Sequence, residues 1–389
     1  MTMKYFIFLF FISEIASAQL VDSTIIIKVD SLIKVSRELS TKRKFDDALD
    51  LMVLAEKIAL AKIGRMTVIY GSCCHNLGKI FQVRGNFEQT EKWYLEAIEI
   101  RKKVLGVENL DYAWSLNNLG LLYMDNGNYK EAEILLLQVQ KIRYKCTGKE
   151  HPDYAWCLHN LANLNTHLGN YKKAELYYLE TKIIREKILG KEHPDYAQTL
   201  HNLALVYYNQ GKYKEAEAIN IECITIREKI LGKENINYAW SLHNLAIIYH
   251  DLCKYEKVEP LLLECKSIRE KLLGREHPDY ALTLNNLGNL YKATGNYEKA
   301  ELLYLESKVI REKIFGIQHP DYAGSLQNLA SLYKLLGNYE KAELLYLESE
   351  SLFEKLIGKE NTSYALLICN HALLYMEMNN YNKSELLYL

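Results

Sequence analysis

Tyr70, Tyr112, Tyr154, Tyr196, Tyr238, Tyr280, Tyr322 and Tyr364 follow one another at intervals of 42 residues, with no insertion between them. So strict a period means one supersecondary unit copied head to tail, and such a unit cannot bury its apolar face alone. The copies must stack on their neighbours, giving a quasi-one-dimensional solenoid whose long surface is the natural place for a partner.

The unit from Tyr112 to Asp153 shows what is being stacked. Tyr112, Leu116, Leu119, Gly120 and Tyr123 fall on one face of an α-helix. Asn126-Gly127-Asn128 supplies a turn, matched by Gly169-Asn170, Gly211-Lys212, Gly295-Asn296 and Gly337-Asn338 in other copies. A second helix is predicted from near Tyr129 over about sixteen residues, rich in strong helix formers. It closes at glycines such as Gly190, Gly232, Gly274 and Gly358, where a left-handed residue suits the helix end. His-Pro-Asp at 151, 193, 277 and 319 then opens the next first helix, with proline tolerated in the first turn. Pro260 is expected in the unconstrained first turn of its second helix.

Lys plus Arg total 48 against 49 for Asp plus Glu, so no net field draws the chain to nucleic acid or to an anionic membrane. The first eighteen residues stand apart. Lys4, an apolar run from Tyr5 to Ile12 and Ala16-Ser17-Ala18 read as a cleavable signal peptide, which makes the expected compartment periplasmic or extracellular; with Glu14 near the end of the run, the alternative is a short membrane anchor or a frayed N-terminus. Eight cysteines in such a compartment raise the question of disulfides. Their registers argue for packing instead. Cys223 and Cys265 share a slot with Ala97, Thr181, Ser307 and Ser349, and Cys73 and Cys157 share one with Ser115, Thr199, Ser241, Thr283 and Ser325.

Segments such as H-P-D-Y-A-x-T-L-H-N-L-A-L-V-Y-Y-N-Q-G-K-Y-K-E-A-E from His193, and I-R-E-K-I-L-G-K-E-H-P-D-Y-A, resemble the 42-residue tetratricopeptide repeats of kinesin light chains and their bacterial relatives. The likeness spans about residues 26 to 389 and departs at the N-terminus, where no heptad coiled coil precedes the repeats. It implies an all-α tetratricopeptide-repeat α-solenoid, a right-handed superhelix of helix-turn-helix units whose first helices line a concave groove. The expected organisation is a signal peptide at 1–18, a leader and degenerate first repeat at 19–67, and tandem repeats at 68–389 with the last one cut short.

The resemblance places the candidate site on that groove. Asn118, Asn160, Asn202, Asn244, Asn286 and Asn328 recur without variation, and Asn76 and Asn370 extend the set. An amide offers both a donor and an acceptor, so a ladder of them suits an extended peptide backbone. In kinesin light chains the matching asparagines contact cargo peptides. The other reading is that each asparagine bonds to the neighbouring copy and holds the stack. Beside them run Trp114, Trp156 and Trp240, and a register of His159, His201 and His243 with His75, Asn117, Asn285 and Gln327. Tryptophans here supply either binding contacts or packing between helices. The histidines do not make a metal site. Consecutive units are about 10 Å apart, and zinc needs nitrogens at about 2 Å. The histidines could instead make the face pH-sensitive. Two further rows, from Glu91 to Glu385 and from Arg101 to Arg311, are expected to form solvated or inter-repeat ion pairs.

No phosphate-binding loop, nucleophile elbow or Cys-His signature stands in the sequence. The sequence therefore reads as a non-enzymatic, cofactor-free scaffold for a peptide or protein partner. No nucleic acid is expected, and no membrane once the signal is removed. The rival reading is the recognition array of a longer protein with a C-terminal caspase-like (CHAT) peptidase, as in bacterial arrays that look like this one. The last unit ends within a second helix at Leu389, which motivates that alternative and also self-association through an uncovered repeat.

Overall fold

A computed structural model describes residues 23–388, so the expected signal peptide of residues 1–18 lies outside the described residues. These residues are helical throughout, joined by short turns, and fall into two compact units, one through Gly190 and one from Lys191.

The first unit holds α1 (residues 23–41), α2 (Phe45–Lys62), α3 (Val68–Val83), α4 (Phe87–Leu105), α5 (Leu110–Asp125), α6 (Tyr129–Thr147), α7 (Pro152–His167) and α8 (Tyr171–Leu189). The second holds α9 (Pro194–Asn209), α10 (Tyr213–Leu231), α11 (Ile236–Asp251), α12 (Tyr255–Leu273), α13 (Pro278–Ala293), α14 (Tyr297–Phe315), α15 (Pro320–Leu335), α16 (Tyr339–Ile357), α17 (Thr362–Glu377) and α18 (Tyr381–Tyr388). Within each unit, from α2 onward in the first, every helix packs on the one before and the one after it. From α3 on the helices alternate between a 16-residue first helix and a 19-residue second helix, the latter about a turn longer than the sequence suggested, until the short α18.

The periodic apolar positions make the core. Tyr112, Leu116, Leu136, Val139 and Leu161 pack together in the first unit, and Tyr322, Leu326, Leu329, Tyr346 and Leu374 in the second. Each such side chain contributes roughly 2 kcal/mol through burial.

The turns follow from the termini. The histidine of His-Pro-Asp is an N-cap: Nδ1 of His151, His193, His277 and His319 accepts the backbone N–H two residues on, at 3.1 Å in each case. Asn109, Asn235 and Asn361 do the same with Oδ1 at 2.8 Å. Such a bond answers a helix N–H that has no partner inside the helix. Between the two helices of a copy one residue takes positive φ, a glycine at 85, 127, 169, 211, 295 and 337 but Arg43 (φ 59°) in α1–α2, Cys253 (φ 56°) in α11–α12 and Asn379 (φ 58°) in α17–α18. Pro260 lies deeper than expected, as the sixth residue of α12. Its ring nitrogen replaces an N–H that would have reached back to Glu256, and the helix continues through it.

The shared cysteine slots are hydrogen-bonding positions. Cys223 and Cys265 donate to the carbonyls of Ala197 (3.2 Å) and Ala239 (3.4 Å), as the hydroxyls of Ser307 and Ser349 do to Ala281 (2.8 Å) and Ala323 (2.9 Å). A small donor ties the second helix of a unit to its first helix. All eight cysteines are free thiols.

Candidate functional site

The recurring asparagines sit on the first helices, one rung per copy, and their partners follow one rule. The side chains of Asn118, Asn160, Asn244, Asn286 and Asn328 reach back 43 residues to the preceding copy, to the register that carries histidine or asparagine. In the first unit the Asn118 amide lies 3.5 Å from His75 Nε2, and Asn160 donates to Asn117 Oδ1 at 3.0 Å. In the second unit Asn244 lies 3.4 Å from His201 Nε2, Asn286 lies 3.1 Å from His243 Nε2, and Asn328 donates to Asn285 Oδ1 at 2.7 Å. Asn202 accepts from Gln198 Nε2 at 3.1 Å. Asn76 differs, accepting from Arg37 Nε at 2.8 Å and donating to the Ser72 carbonyl at 2.6 Å.

Those histidines also face the arginine row. Nη1 of Arg185, Arg227 and Arg269 stands 3.5, 3.3 and 3.4 Å from Nδ1 of His159, His201 and His243. Arginine only donates, so Nδ1 accepts and the imidazole proton is on Nε2. For His243 the Asn286 amide must then turn its oxygen to that N–H, an assignment made from the bonding pattern. The amide's two N–H donors are left pointing elsewhere. Burial first, and the neighbouring arginine second, push all three histidines down to about 3. They are neutral at physiological pH, which does not favour a face switched by their protonation.

The arginines do not form the expected ion pairs. Arg143 and Arg269 are among the largest fully buried side chains, and Arg101, Arg227 and Arg311 are buried as well. Among the described residues no carboxylate stands within ion-pair distance of these five, which instead use neutral acceptors. Arg227 Nη1 donates to the Asn237 carbonyl and to Ser241 Oγ, both at 2.7 Å, and Arg269 to the Asp279 carbonyl and Thr283 Oγ1, both at 2.8 Å. Ten residues separate each arginine from its carbonyl, so the bond spans the turn from one copy to the next. The second of the shared cysteine registers supplies the hydroxyl, and where Cys157 stands Arg143 Nη1 donates, among the described residues, to the Asp153 carbonyl alone, at 2.8 Å. The glutamate row does bridge copies. Glu91, Glu259 and Glu343 each accept a tyrosine hydroxyl at 2.6 Å, from Tyr123, Tyr291 and Tyr375.

The tryptophans cover the arginines. Trp114 and Trp156 stack with ring centres 5.4 Å apart, and the Arg143 guanidinium lies 5.0 Å from Trp156. In the second unit Trp240 sits 4.3 Å from the Arg269 guanidinium and edge-on to His243 at 5.6 Å. These distances suit cation–π contact. Trp114 is still 37% exposed, so part of the stacked pair is open to a ligand.

The first-helix face therefore has a constant layer (asparagine, histidine or asparagine, arginine) and a variable one beside it. Sequence reasoning placed the asparagines, histidines and tryptophans on one face. It missed two cavities in the variable layer. One, of about 280 Å³ in the first unit, has Phe45, Met52 and Ile80 in its wall and Arg37 and Lys79 beside them. The other, of about 260 Å³ in the second unit, lies among Tyr208, Asp251, Asn286 and Asn289. The signal was available in register, since Arg37 and Lys79 occupy the position of Leu121, Asn163, Leu205 and Ile247. Among the described residues no group of three or more His, Cys, Asp or Glu side chains is placed to hold a metal ion.

Comparison with known proteins places the fold. A tetratricopeptide repeat profile matches residues 72–145, 116–187, 167–229, 195–271 and 303–355, and a second matches 281–321. The chain belongs to the tetratricopeptide repeat family. It is similar to the nearly identical TPR-like repeats of a Podosopora anserina protein described as a kinesin light chain, at 28% identity over 51% of this chain and 93% of that one, with a TM-score of 0.46. The fold is also that of BtubC (BKLC) from P. vanneervenii, at 22% identity over 59% of this chain and 92% of that one, TM-score 0.52. A Rap protein solved in complex with competence and sporulation factor aligns at 15% identity over 82% of this chain and 95% of that one, TM-score 0.53. No curated protein sequence matches the chain.

Proposed function

We propose that this protein is an exported binding scaffold, without catalysis of its own, that holds a peptide or an extended segment of a partner protein along its first-helix groove. The observation that carries the reading is the asparagine rung. An amide has two N–H donors and an oxygen that accepts twice, and one contact to the neighbouring copy uses only part of that. The two roles weighed from the sequence are thus compatible, since the same side chain ties copies together and presents a polar atom at the face. Asn202, Asn286 and Asn328 are the more open members, while Asn118, Asn160 and Asn244 are more deeply covered. Trp114, Trp156 and Trp240 add apolar area next to the rungs, of the kind that dominates binding energy. The Rap protein solved in complex with competence and sporulation factor supports a partner-holding role, by likeness of fold.

Display selection of random peptides against residues 19–389 is the test, followed by affinity measurement on Asn286→Ala and Trp240→Ala. Each substitution is expected to weaken a selected peptide by about tenfold with the helical circular dichroism signal unchanged. Selected peptides indifferent to both would remove the first-helix face from the account. For export, N-terminal sequencing of the protein from its own source should begin at Gln19. A retained Met1 would contradict that part of the proposal.

A further inference from the structure

The second-unit cavity has a composition that selects among peptide side chains. Its wall is apolar at Ala246, Ile247, Val258 and Leu262, and its polar members are Tyr208, His250, Asp251, Asn286 and Asn289, with Asp251 the one carboxylate among the lining residues. The Asp251 carboxylate takes the Tyr208 hydroxyl on Oδ2 at 2.6 Å, and Nδ1 of the adjoining His250 stands 3.3 Å from Oδ1. That contact makes Nδ1 the donor to the carboxylate and holds the ring beside Asp251. Asn289 Oδ1 accepts from Tyr304 at 2.6 Å, a second rim oxygen already oriented as an acceptor. No lysine or arginine lines the cavity, and no lysine or arginine among the described residues is within ion-pair distance of Asp251.

A carboxylate with no cationic partner among the described lysines and arginines, the Asn289 oxygen and the ring of Tyr208 beside an apolar wall are complementary to a cation on an aliphatic stem. The stem lies along Ile247 while the head reaches the rim, as long basic side chains do elsewhere, with the tyrosine ring adding cation–π attraction. We infer that this cavity is a subsite for an arginine or lysine side chain of the bound peptide. The pairing of Tyr208 with Asp251 across 43 residues is specific to this pair of copies. The corresponding positions are Gln82 with Asp125, Met124 with His167, Thr166 with Asn209, His250 with Ala293, Lys292 with Leu335 and Lys334 with Glu377, and the last pair is a salt bridge at 3.4 Å rather than a tyrosine on a carboxylate. The subsite therefore fixes where along the groove a basic residue falls, and so the register of the peptide. This inference rests on the groove reading above and sharpens it.

Titration of the isotopically labelled protein with N-acetyl-arginine methylamide, followed at the side-chain amides of Asn286 and Asn289, tests the subsite. Saturable shifts are expected. They should weaken at least tenfold with the neutral isostere N-acetyl-citrulline methylamide and in Asp251→Asn. In Asp251→Lys the preference should reverse towards N-acetyl-glutamate methylamide, provided the helical signal is intact. Equal response to arginine and citrulline, or to the glutamate probe in the parent protein, overturns the assignment. A positional peptide array separates the two levels of the account. Peptides that bind with no preference for a basic residue at any position leave the groove standing and overturn the subsite, whereas an array on which nothing binds overturns both.

Discussion

The two compact units use the same constant layer and dress it differently. In the first, the register beside the asparagines begins with two cations, Arg37 and Lys79, and burial together with the Arg37 charge lowers the Lys79 pKa. The stacked Trp114 and Trp156 follow over Arg143, which has one carbonyl acceptor because Cys157 stands where a hydroxyl would. In the second unit a single Trp240 covers Arg269, which has a carbonyl, a hydroxyl and an imidazole, and the neighbouring rungs open into the cavity at Asp251. The difference teaches a division of labour. Residues that repeat without change hold copy to copy, and residues that vary set what the face would recognise.

Acid should separate the constant layer from the rest most strongly. Histidine in the unfolded chain titrates near 6.5, and in the fold His201 and His243 are pushed down to about 3. The unfolded state then takes up protons first as pH falls. The stability from these groups is full above about pH 6.5 and declines from there towards pH 3, by about 2 kcal/mol per histidine at pH 5. Replacing both by asparagine, the residue found at 117 and 285, should leave stability at pH 7.5 within about 1 kcal/mol and recover roughly 4 kcal/mol at pH 5 in urea unfolding of the second unit. The first unit, with His75 and His159 intact, should remain acid-sensitive. An unchanged acid slope in the double variant would mean that these imidazoles are not buried neutral.

A smaller effect is expected at the arginines. Arg269→Ala strands a carbonyl and a hydroxyl and exposes the Trp240 ring, for a loss of about 3 kcal/mol, and Arg143→Ala strands one carbonyl, for about 2 kcal/mol. Hydrogen-exchange protection of α12–α13 against α6–α7 measures each, and equal losses would deny that the Cys157 position weakens the first-unit junction. The smallest effect is at the turn where Cys253 holds positive φ in the place of a glycine. Cys253→Gly should stabilise α11–α12 by about 1 kcal/mol, read as slower exchange there, while a loss would show that the thiol contact from the Tyr255 hydroxyl at 3.7 Å matters more than the backbone strain.

Much of this was legible in the repeat itself. A fixed period of 42 carries the helix pattern and the turns, because every copy faces the same packing problem. Repetition also concealed things. The arginines and glutamates looked alike as charged rows, yet Arg269 is fully buried while Glu343 shares a tyrosine and a lysine near the surface. Nothing in a single sequence distinguishes a charge turned inward to carbonyls from one turned to water. The cavities were hidden for a related reason, since Tyr208 and Asp251 belong to different registers of different copies and meet only once the copies are stacked.

The central claim is that the first-helix face is where a partner is held. Hydrogen-exchange mass spectrometry of the protein with and without a display-selected peptide tests it directly. The account predicts new protection in α9, α11 and α13 around Asn202, Asn244 and Asn286, with α10, α12 and α14 little changed. Protection confined to the second helices would contradict it.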